Sequence, residues 1–359
     1  MPSRQPIPLR DYPARRIALI KPSALGDIVQ SLPVLTALRR RYPRAHIAWI
    51  VNRGYEPLLR GHPDLDATLP CDRTRSRSGL LEKVFNYGGF LRRLRRERFD
   101  LVIDLQGLFR SGLMAAASGA RRRMGFSSAR EGATWCYTDV VAGADLRTVH
   151  AVDRYWLMAE AVGAGDGPKE FRVPVHEAER RRAADLLAAW PRPWLFLAVG
   201  ARWVTKRWPP EHFAELARRA QAGFGGTAVF LGAGEDVPLS QSSASRLAGA
   251  TLDLTGRTSL PQLAALLSLA DAMVSNDSGP LHLAAALGRP VVAPYTCTTV
   301  KLHGPYGAEN GAVEAKVWCQ GSHLKRCGRL DCMRELTPDH LWRILEGVLR
   351  EWDSQRRSA

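Results

Sequence analysis

The 359-residue chain alternates short apolar runs with longer amphipathic stretches almost from end to end. RIALI (16–20), HIAWIV (46–51) and LVID (101–104) in the first half have the length of strands, as do WLFLAV (194–199), TAVFL (227–231), TLDL (251–254), AMVS (272–275) and PVVAP (290–294) in the second. Their apolar positions tend to be consecutive, which is the pattern of strands covered on both faces in a parallel sheet. Between them, apolar residues at helical spacing predict helices over 28–41, 80–97, 109–118 and 151–162, then over 211–222, 238–247, 260–269, 281–287 and 339–352. Pro33 predicts that the first of these starts late or is kinked.

A strand-helix alternation of this length predicts an α/β protein with two doubly wound, Rossmann-like domains and a ligand cleft at the carboxyl ends of the strands. The stretch 163–193 carries a charged helical piece between Gly/Pro-rich ends and reads as an inter-domain connection. The expected organisation is a disordered lead-in over 1–15, a first domain over 16–165, a connection over 166–193, a second domain over 194–337, and a C-terminal helix over 338–359 that packs back on the first domain.

Composition narrows the function. No apolar run is long enough to cross a membrane, and the basic, Pro-rich N-terminus lacks the apolar core of a secretory signal, so a cytoplasmic protein is expected. The six cysteines (71, 136, 297, 319, 327 and 332) include no CxxC pair; Cys319, Cys327 and Cys332 fit no common zinc spacing, and reduced, mostly buried thiols are expected. Lys and Arg exceed Asp and Glu by 51 to 35, a field that attracts an anionic partner. The arginines are dispersed, with Arg39–Arg41, Arg92–Arg98 and Arg121–Arg123 reading as helix faces or helix ends, and no nucleic-acid motif accompanies them. Nucleic acid is therefore not the expected partner.

Four strand-to-helix corners carry candidate chemistry. KPSALGD (21–27) follows RIALI; Gly26 permits close backbone approach, Ser23 or Asp27 suits a helix cap, and Asp27 is also placed to act as a general base. In GARWVTKRWPP (200–210), Lys206 lies between a strand end and a helix start, where an anion would sit. In LGAGEDVP (231–238), Glu235 is either an acceptor for a ribose diol or a residue favoured by the helix dipole. In MVSNDSGPLHLAAALG (273–288), a capping Ser278 or Gly279 with Pro280 in the first turn explains most of the polar residues, but not His282. Asp64-Leu65-Asp66 has the form of a metal-binding D-x-D but sits in a turn sequence, and is read as turn chemistry.

Taken in order, these stretches resemble the family nine glycosyltransferases, the ADP-heptose:lipopolysaccharide heptosyltransferases. KPSALGDIVQSLP resembles the family's K-x-S-x-G-D opening, TKRWPPEHFAELA its K-x-W-P segment, and NDSGPLHLAAALGRP its D-[ST]-G-x-x-H segment. LVIDLQGLFRSGL, MGFSSAREGA and VHAVDRYWLMAEAVG look most like the heptosyltransferase I branch. The resemblance implies a GT-B fold and metal-independent, inverting transfer of heptose from ADP-heptose to the Kdo of an acidic, lipid-linked acceptor, Kdo2-lipid A. It implies no cofactor and no metal, and work at the cytosolic face of the anionic inner membrane. It assigns Asp27 as general base and Lys206 as the diphosphate lysine. Glu235, Thr258, Asp277, Ser278, Gly279 and His282 match donor-binding positions, and Ser23, Arg73, Arg75, Arg110 and Arg130 match positions that meet the acceptor. Asn276 and Pro280 depart from residues common among relatives.

Overall fold

The computed structural model describes residues 7–72, 80–143, 145 and 148–358. The chain divides into two compact units, residues 1–174 and 175–359. The first contains β1 (Arg16–Ile20), α1 (Leu25–Arg41), β2 (His46–Asn52), α2 (Glu56–Leu59), β3 (Ala67–Cys71), α3 (Leu80–Arg96), β4 (Leu101–Asp104), α4 (Phe109–Ser118), β5 (Arg122–Phe126), β6 (Asp139–Val141) and α5 (Ala151–Ala161). Its six strands are all parallel and lie in the order β3-β2-β1-β4-β5-β6. In register, Ile17 lies between Ile47 and Leu101. Ala18 and Ile20 face a core shared with Ala48, Ile50, Val102 and Met114, while Ile17 and Leu19, equally buried, point the other way. A strand with no solvent face has no polar alternation, which is why RIALI reads as an unbroken apolar run.

The second unit contains α6 (Glu177–Ala188), β7 (Trp194–Ala198), α7 (Pro210–Phe224), β8 (Thr227–Phe230), α8 (Val237–Ala244), β9 (Thr251–Asp253), α9 (Leu260–Leu267), β10 (Ala272–Ser275), α10 (Gly279–Ala286), β11 (Val291–Tyr295), α11 (Val300–His303), β12 (Ala312–Glu314), α12 (Asp331–Glu335) and α13 (Pro338–Ser358). Its sheet is again six-stranded and parallel, in the order β12-β11-β10-β7-β8-β9. Helix α7 opens on Pro210, where a missing N–H costs nothing, and buries Phe213, Leu216, Ala217 and Ala220 at spacings of three, four and seven.

Several expectations are corrected. The C-terminal helix packs within the second unit: Leu341, Leu345 and Leu349, one helical stripe, are fully buried in that unit's own core beside α7, β10 and β11. Each such leucine contributes roughly 1.5–3 kcal/mol. Helix α6, within the expected connection, packs on α9 through Ala183 and Leu187. The described part of the lead-in is ordered: Leu9–Asp11 form a 3-10 turn, the Tyr12 hydroxyl donates to the Asp100 carbonyl (3.3 Å), and Arg122 donates to the Ile7 carbonyl (2.7 Å). Arg122 and Arg123 belong to β5 instead of a helix, and Arg122 pairs with Asp139 of β6 at 2.6 Å. Helix α1 begins at Leu25 and runs through Pro33.

Asp64 and Asp66 are structural. Buried Asp64 accepts from the Thr36 hydroxyl (3.0 Å) and Arg172 (3.1 Å), and Asp66 accepts from the Ile47 N–H (2.7 Å) and Arg39 (2.5 Å). Among the described residues, no helix is long and apolar enough to cross a membrane.

Candidate active site

Both sheets follow the strand order 3-2-1-4-5-6 of dinucleotide-binding folds when each is numbered from its own first strand. In this order the crossovers from the two central strands leave in opposite directions, which opens a crevice at their carboxyl ends. The central pairs are β1 with β4 and β7 with β10. Residues 21–27 leave β1, 105–108 leave β4, 200–206 leave β7 and 276–282 leave β10, so three of the four candidate corners stand at switch points.

In the first unit, Asp27 occupies the third position of α1, and its Oδ2 accepts the Ala24 N–H at 3.0 Å, closing the helix start. Its Oδ1 accepts the Tyr155 hydroxyl of α5 at 2.9 Å and lies 3.6 Å from the Lys21 ammonium. Lys21 also donates to the Leu105 carbonyl (3.3 Å) and sits 4.7 Å from the Tyr155 ring centroid. Its side chain is only 4% exposed, whereas that of Asp27 is 41% exposed. Burial works against the Lys21 charge, but Asp27 and Tyr155 outweigh it and raise its pKa above the ordinary value. Burial, reinforced by Asp27, pushes the Tyr155 hydroxyl up to about 12, so it remains a donor.

Beside this cluster, a cavity of about 180 Å³ is lined by Ser23, Asn52, Gln106, Arg110 and Ser111 among others. Arg110 is held over the Tyr87 ring (5.3 Å) and donates to the Asp72 carbonyl (2.5 Å). Arg130 is exposed, and its N–H donates to the Gly107 carbonyl (2.8 Å), which brings its loop against the residues that follow β4. Ser23, Arg110 and Arg130 therefore gather around one switch point. Arg73 and Arg75 lie outside the described residues.

In the second unit, buried Asp277 is the hub. Its Oδ2 accepts from Lys206 (2.5 Å) and from the Thr298 hydroxyl (2.6 Å), and its Oδ1 lies 3.6 Å from His282 Nε2. Burial alone would raise its pKa, but Lys206 and His282 outweigh it and hold the carboxyl well below the usual carboxylate range. Lys206 closes a 3-10 turn (Val204–Lys206) and stacks 4.7 Å from the centroid of Trp203. Ser278 is the N-cap of α10 and makes no side-chain capping bond, so the first N–H groups of α10 receive no cap from it. Asn276 is a brace: its Oδ1 accepts the Trp208 N–H (3.0 Å) and its Nδ2 donates to the Val199 carbonyl (2.8 Å).

Lys206, Asp277, Ser278, Gly279 and His282 thus come together. Glu235 lies apart from them on an exposed 3-10 turn after β8, and half-buried Thr258 follows β9. Those two loops are tied by the Gly256 N–H donating to the Gly232 carbonyl (2.9 Å). Gly200 admits the Glu235 turn, because a Cβ there would lie 2.1 Å from the Asp236 carboxyl carbon. Sequence reasoning missed Lys21, Tyr155, Thr298 and Asn276 as members of or braces for these clusters. Lys21 had a signal, a charge closing an apolar strand; Tyr155 had none, since it sits on the buried stripe of α5. All six cysteines are free thiols, three buried and three half-buried, and among the described residues no group of three or more His, Cys, Asp or Glu is placed to hold a metal ion.

Paired Rossmann-like domains of this topology, with polar clusters at both switch points, define a protein of the GT-B class. Comparison with known proteins agrees. The profile of glycosyltransferase family 9 (heptosyltransferase) matches residues 88–332. Lipopolysaccharide heptosyltransferase 1 of Pseudomonas aeruginosa is 32% identical over 321 residues, 87% of either chain. Lipopolysaccharide heptosyltransferase 2 of Escherichia coli K12 is 30% identical over 294 residues, 78% of this chain and 82% of that one. The solved structure of the E. coli ADP-heptose lipopolysaccharide heptosyltransferase II superposes with a TM-score of 0.78 at 26% identity, over 94% of this chain and 99% of that one. The chain belongs to glycosyltransferase family 9 and is a glycosyltransferase.

Proposed function

We propose that this enzyme transfers heptose from ADP-heptose to the Kdo of a lipopolysaccharide inner core, Kdo2-lipid A, with inversion and without a metal. The observation that carries the reading is the Lys206–Asp277–His282 cluster at the uncapped start of α10, a site made for a diphosphate. The names of the relatives supply the heptose and the lipopolysaccharide. In this reading Asp27 takes the proton of the acceptor hydroxyl, the hydroxyl oxygen bonds to the anomeric carbon from the face opposite the diphosphate, and the glycosidic bond breaks with its electron pair leaving on ADP. Negative charge grows on the β-phosphate as that bond lengthens, so Lys206 and the α10 N–H groups bind the transition state more strongly than the ground state. Glu235 and Thr258, on the two tied loops, face the adenosine. Ser23, Arg110 and Arg130 meet the carboxylates and phosphates of the acceptor, with Arg73 and Arg75 joining them.

The test is turnover across a panel of ADP-, UDP- and GDP-sugars with Kdo2-lipid A, the product anomer being read by NMR. A retained anomeric configuration overturns inversion, loss of turnover in EDTA overturns metal independence, and turnover with UDP- or GDP-sugars but not ADP-heptose overturns the donor. The excess of Lys and Arg further supports peripheral binding to the anionic cytosolic face of the inner membrane. Binding to phosphatidylglycerol-containing vesicles is expected to fall steeply between low salt and about 0.5 M salt, since exposed charges are screened over about 10 Å already at 0.1 M; salt-insensitive binding refutes this.

A further inference from the structure

We infer that Trp135 and Phe109 dock the first unit onto the bilayer that carries the acceptor, the two aromatic side chains entering the headgroup region and neighbouring arginines meeting its anionic lipids. The inference rests on the reading of the acceptor as lipid-linked. Isolated apolar residues are ordinary on a protein surface, but large exposed aromatics on a fixed frame are not. Trp135 is 88% exposed and Phe109 47%. Trp135 sits in the 3-10 turn Ala133–Cys136, whose first residue is fully buried where the turn packs on α4. A Cβ at Gly112 would lie 3.0 Å from the Ala133 carbonyl oxygen, so a glycine there lets the turn come this close to the helix. Just beyond the turn, the buried Tyr137 hydroxyl donates to Asp104 (2.7 Å). The backbone on both sides of Trp135 is thus anchored, while its own ring is left in water.

Phe109 opens α4, and its N–H donates to the Glu131 carboxylate at 3.3 Å, which ties the two aromatic-bearing segments together. Its neighbours Leu108 and Arg110 line the cavity that also holds Ser23, and the Arg130 N–H bonds the Gly107 carbonyl of the same loop. The aromatic ridge therefore continues the rim of the acceptor cavity. An acceptor whose acyl chains stay in a membrane can offer its sugars to that cavity only when this rim stands at the bilayer surface. The charge agrees. Among the described residues, Arg110, Arg123 and Arg130 are ion-paired with no carboxylate: the guanidinium groups of Arg110 and Arg123 are held by backbone carbonyls, and Arg130 is exposed. Arginines near a surface are drawn to anionic lipid, and a tryptophan, with an apolar body and a polar edge, favours the interface between water and hydrocarbon. Two aromatics set among charges are too small a face for a stable protein partner, which needs a continuous apolar centre.

The experiment measures binding of the full-length protein to vesicles of phosphatidylcholine and phosphatidylglycerol. Trp135→Ala is expected to weaken binding about tenfold, the order for keeping one large apolar side chain in water, and the double variant with Phe109→Ala to weaken it further. Trp318→Ala, which removes a tryptophan 74% exposed in the second unit, leaves binding unchanged. Trp135→Phe keeps most of the binding but loses the quenching of tryptophan emission that acyl-brominated lipid causes in the wild type. In turnover, Trp135→Ala raises KM for Kdo2-lipid A held in vesicles, with kcat and KM for ADP-heptose unchanged, and uses a deacylated, water-soluble acceptor as the wild type does. Wild-type vesicle binding in Trp135→Ala, or an equal fall in Trp318→Ala, overturns the inference. An equal rise in KM for the deacylated acceptor overturns it by making Trp135 a sugar contact, and loss of self-association without loss of vesicle binding overturns it by giving the face to a second copy of the chain. Vesicle binding and quenching are read without turnover, so inactivity toward Kdo2-lipid A overturns the proposed acceptor and leaves the docking face to be judged on those two measurements.

Discussion

The two switch points are built on the same strand order and each carries a lysine-aspartate pair, yet the pairs are turned inside out. At the first, Lys21 is buried (4% exposed) and Asp27 is presented (41%). At the second, Asp277 is buried (5%) and Lys206 is the more exposed partner (16%). In each case the hidden member is ion-paired with the one on offer. In the proposed mechanism the presented carboxylate serves as the base and the presented ammonium grips the phosphate. One fold therefore presents a carboxylate at one switch point and an ammonium at the other by reversing which charge it buries.

The comparison breaks most visibly if the presented groups are removed. Asp27→Asn is expected to lower kcat by about 10²–10⁴-fold while ADP still raises Tm as in the wild type, because general-base loss does not touch the diphosphate site. Lys206→Ala is expected to lower kcat/KM by about 10²–10³-fold and, unlike Asp27→Asn, to weaken the ADP-induced rise in Tm. An equal loss of ADP binding in both variants would contradict the division of labour.

Removing the hidden member of the second pair tests it through stability. Asp277→Asn leaves Lys206 and His282 without their carboxylate and is expected to cost about 3–5 kcal/mol, read by urea unfolding at pH 7. The sign with pH follows from the depressed pKa of Asp277: its stabilising contribution is present above the unfolded value near 4 and is lost as pH falls through and below it. Acidification from pH 6 to pH 3 should therefore destabilise the wild type more than Asp277→Asn. The smallest effect belongs to Thr298→Val, which deletes one 2.6 Å hydrogen bond to Asp277 and should cost about 1–3 kcal/mol with kcat nearly intact.

The sequence carried the central strands of both sheets because they are buried on both faces and show it as unbroken apolar runs. It did not carry β3, β6 and β12, which are edge strands of three to five residues, or β5, whose RRMGF opens on two arginines engaged by Asp139 and backbone carbonyls. Short edges bury one face and take their register from a neighbour, so local pattern underdetermines them. The Lys206–Asp277–His282 cluster was legible because Lys206 and residues 277–282 sit beside strand ends in the sequence itself. Tyr155 was not, because an aromatic at helical spacing reads as core until α5 is seen against α1.

Asn276 sets a limit on how far Lys206 can wander. The segment 200–207 begins after Val199 and ends before Trp208, and both of those residues are fastened to the same buried side chain, which is also the neighbour of Asp277. The Lys206 loop is thus pinned at both ends to the crossover that carries its counter-charge. Its freedom is surrendered during folding, so under the proposed function little ordering entropy is left to oppose the capture of a diphosphate.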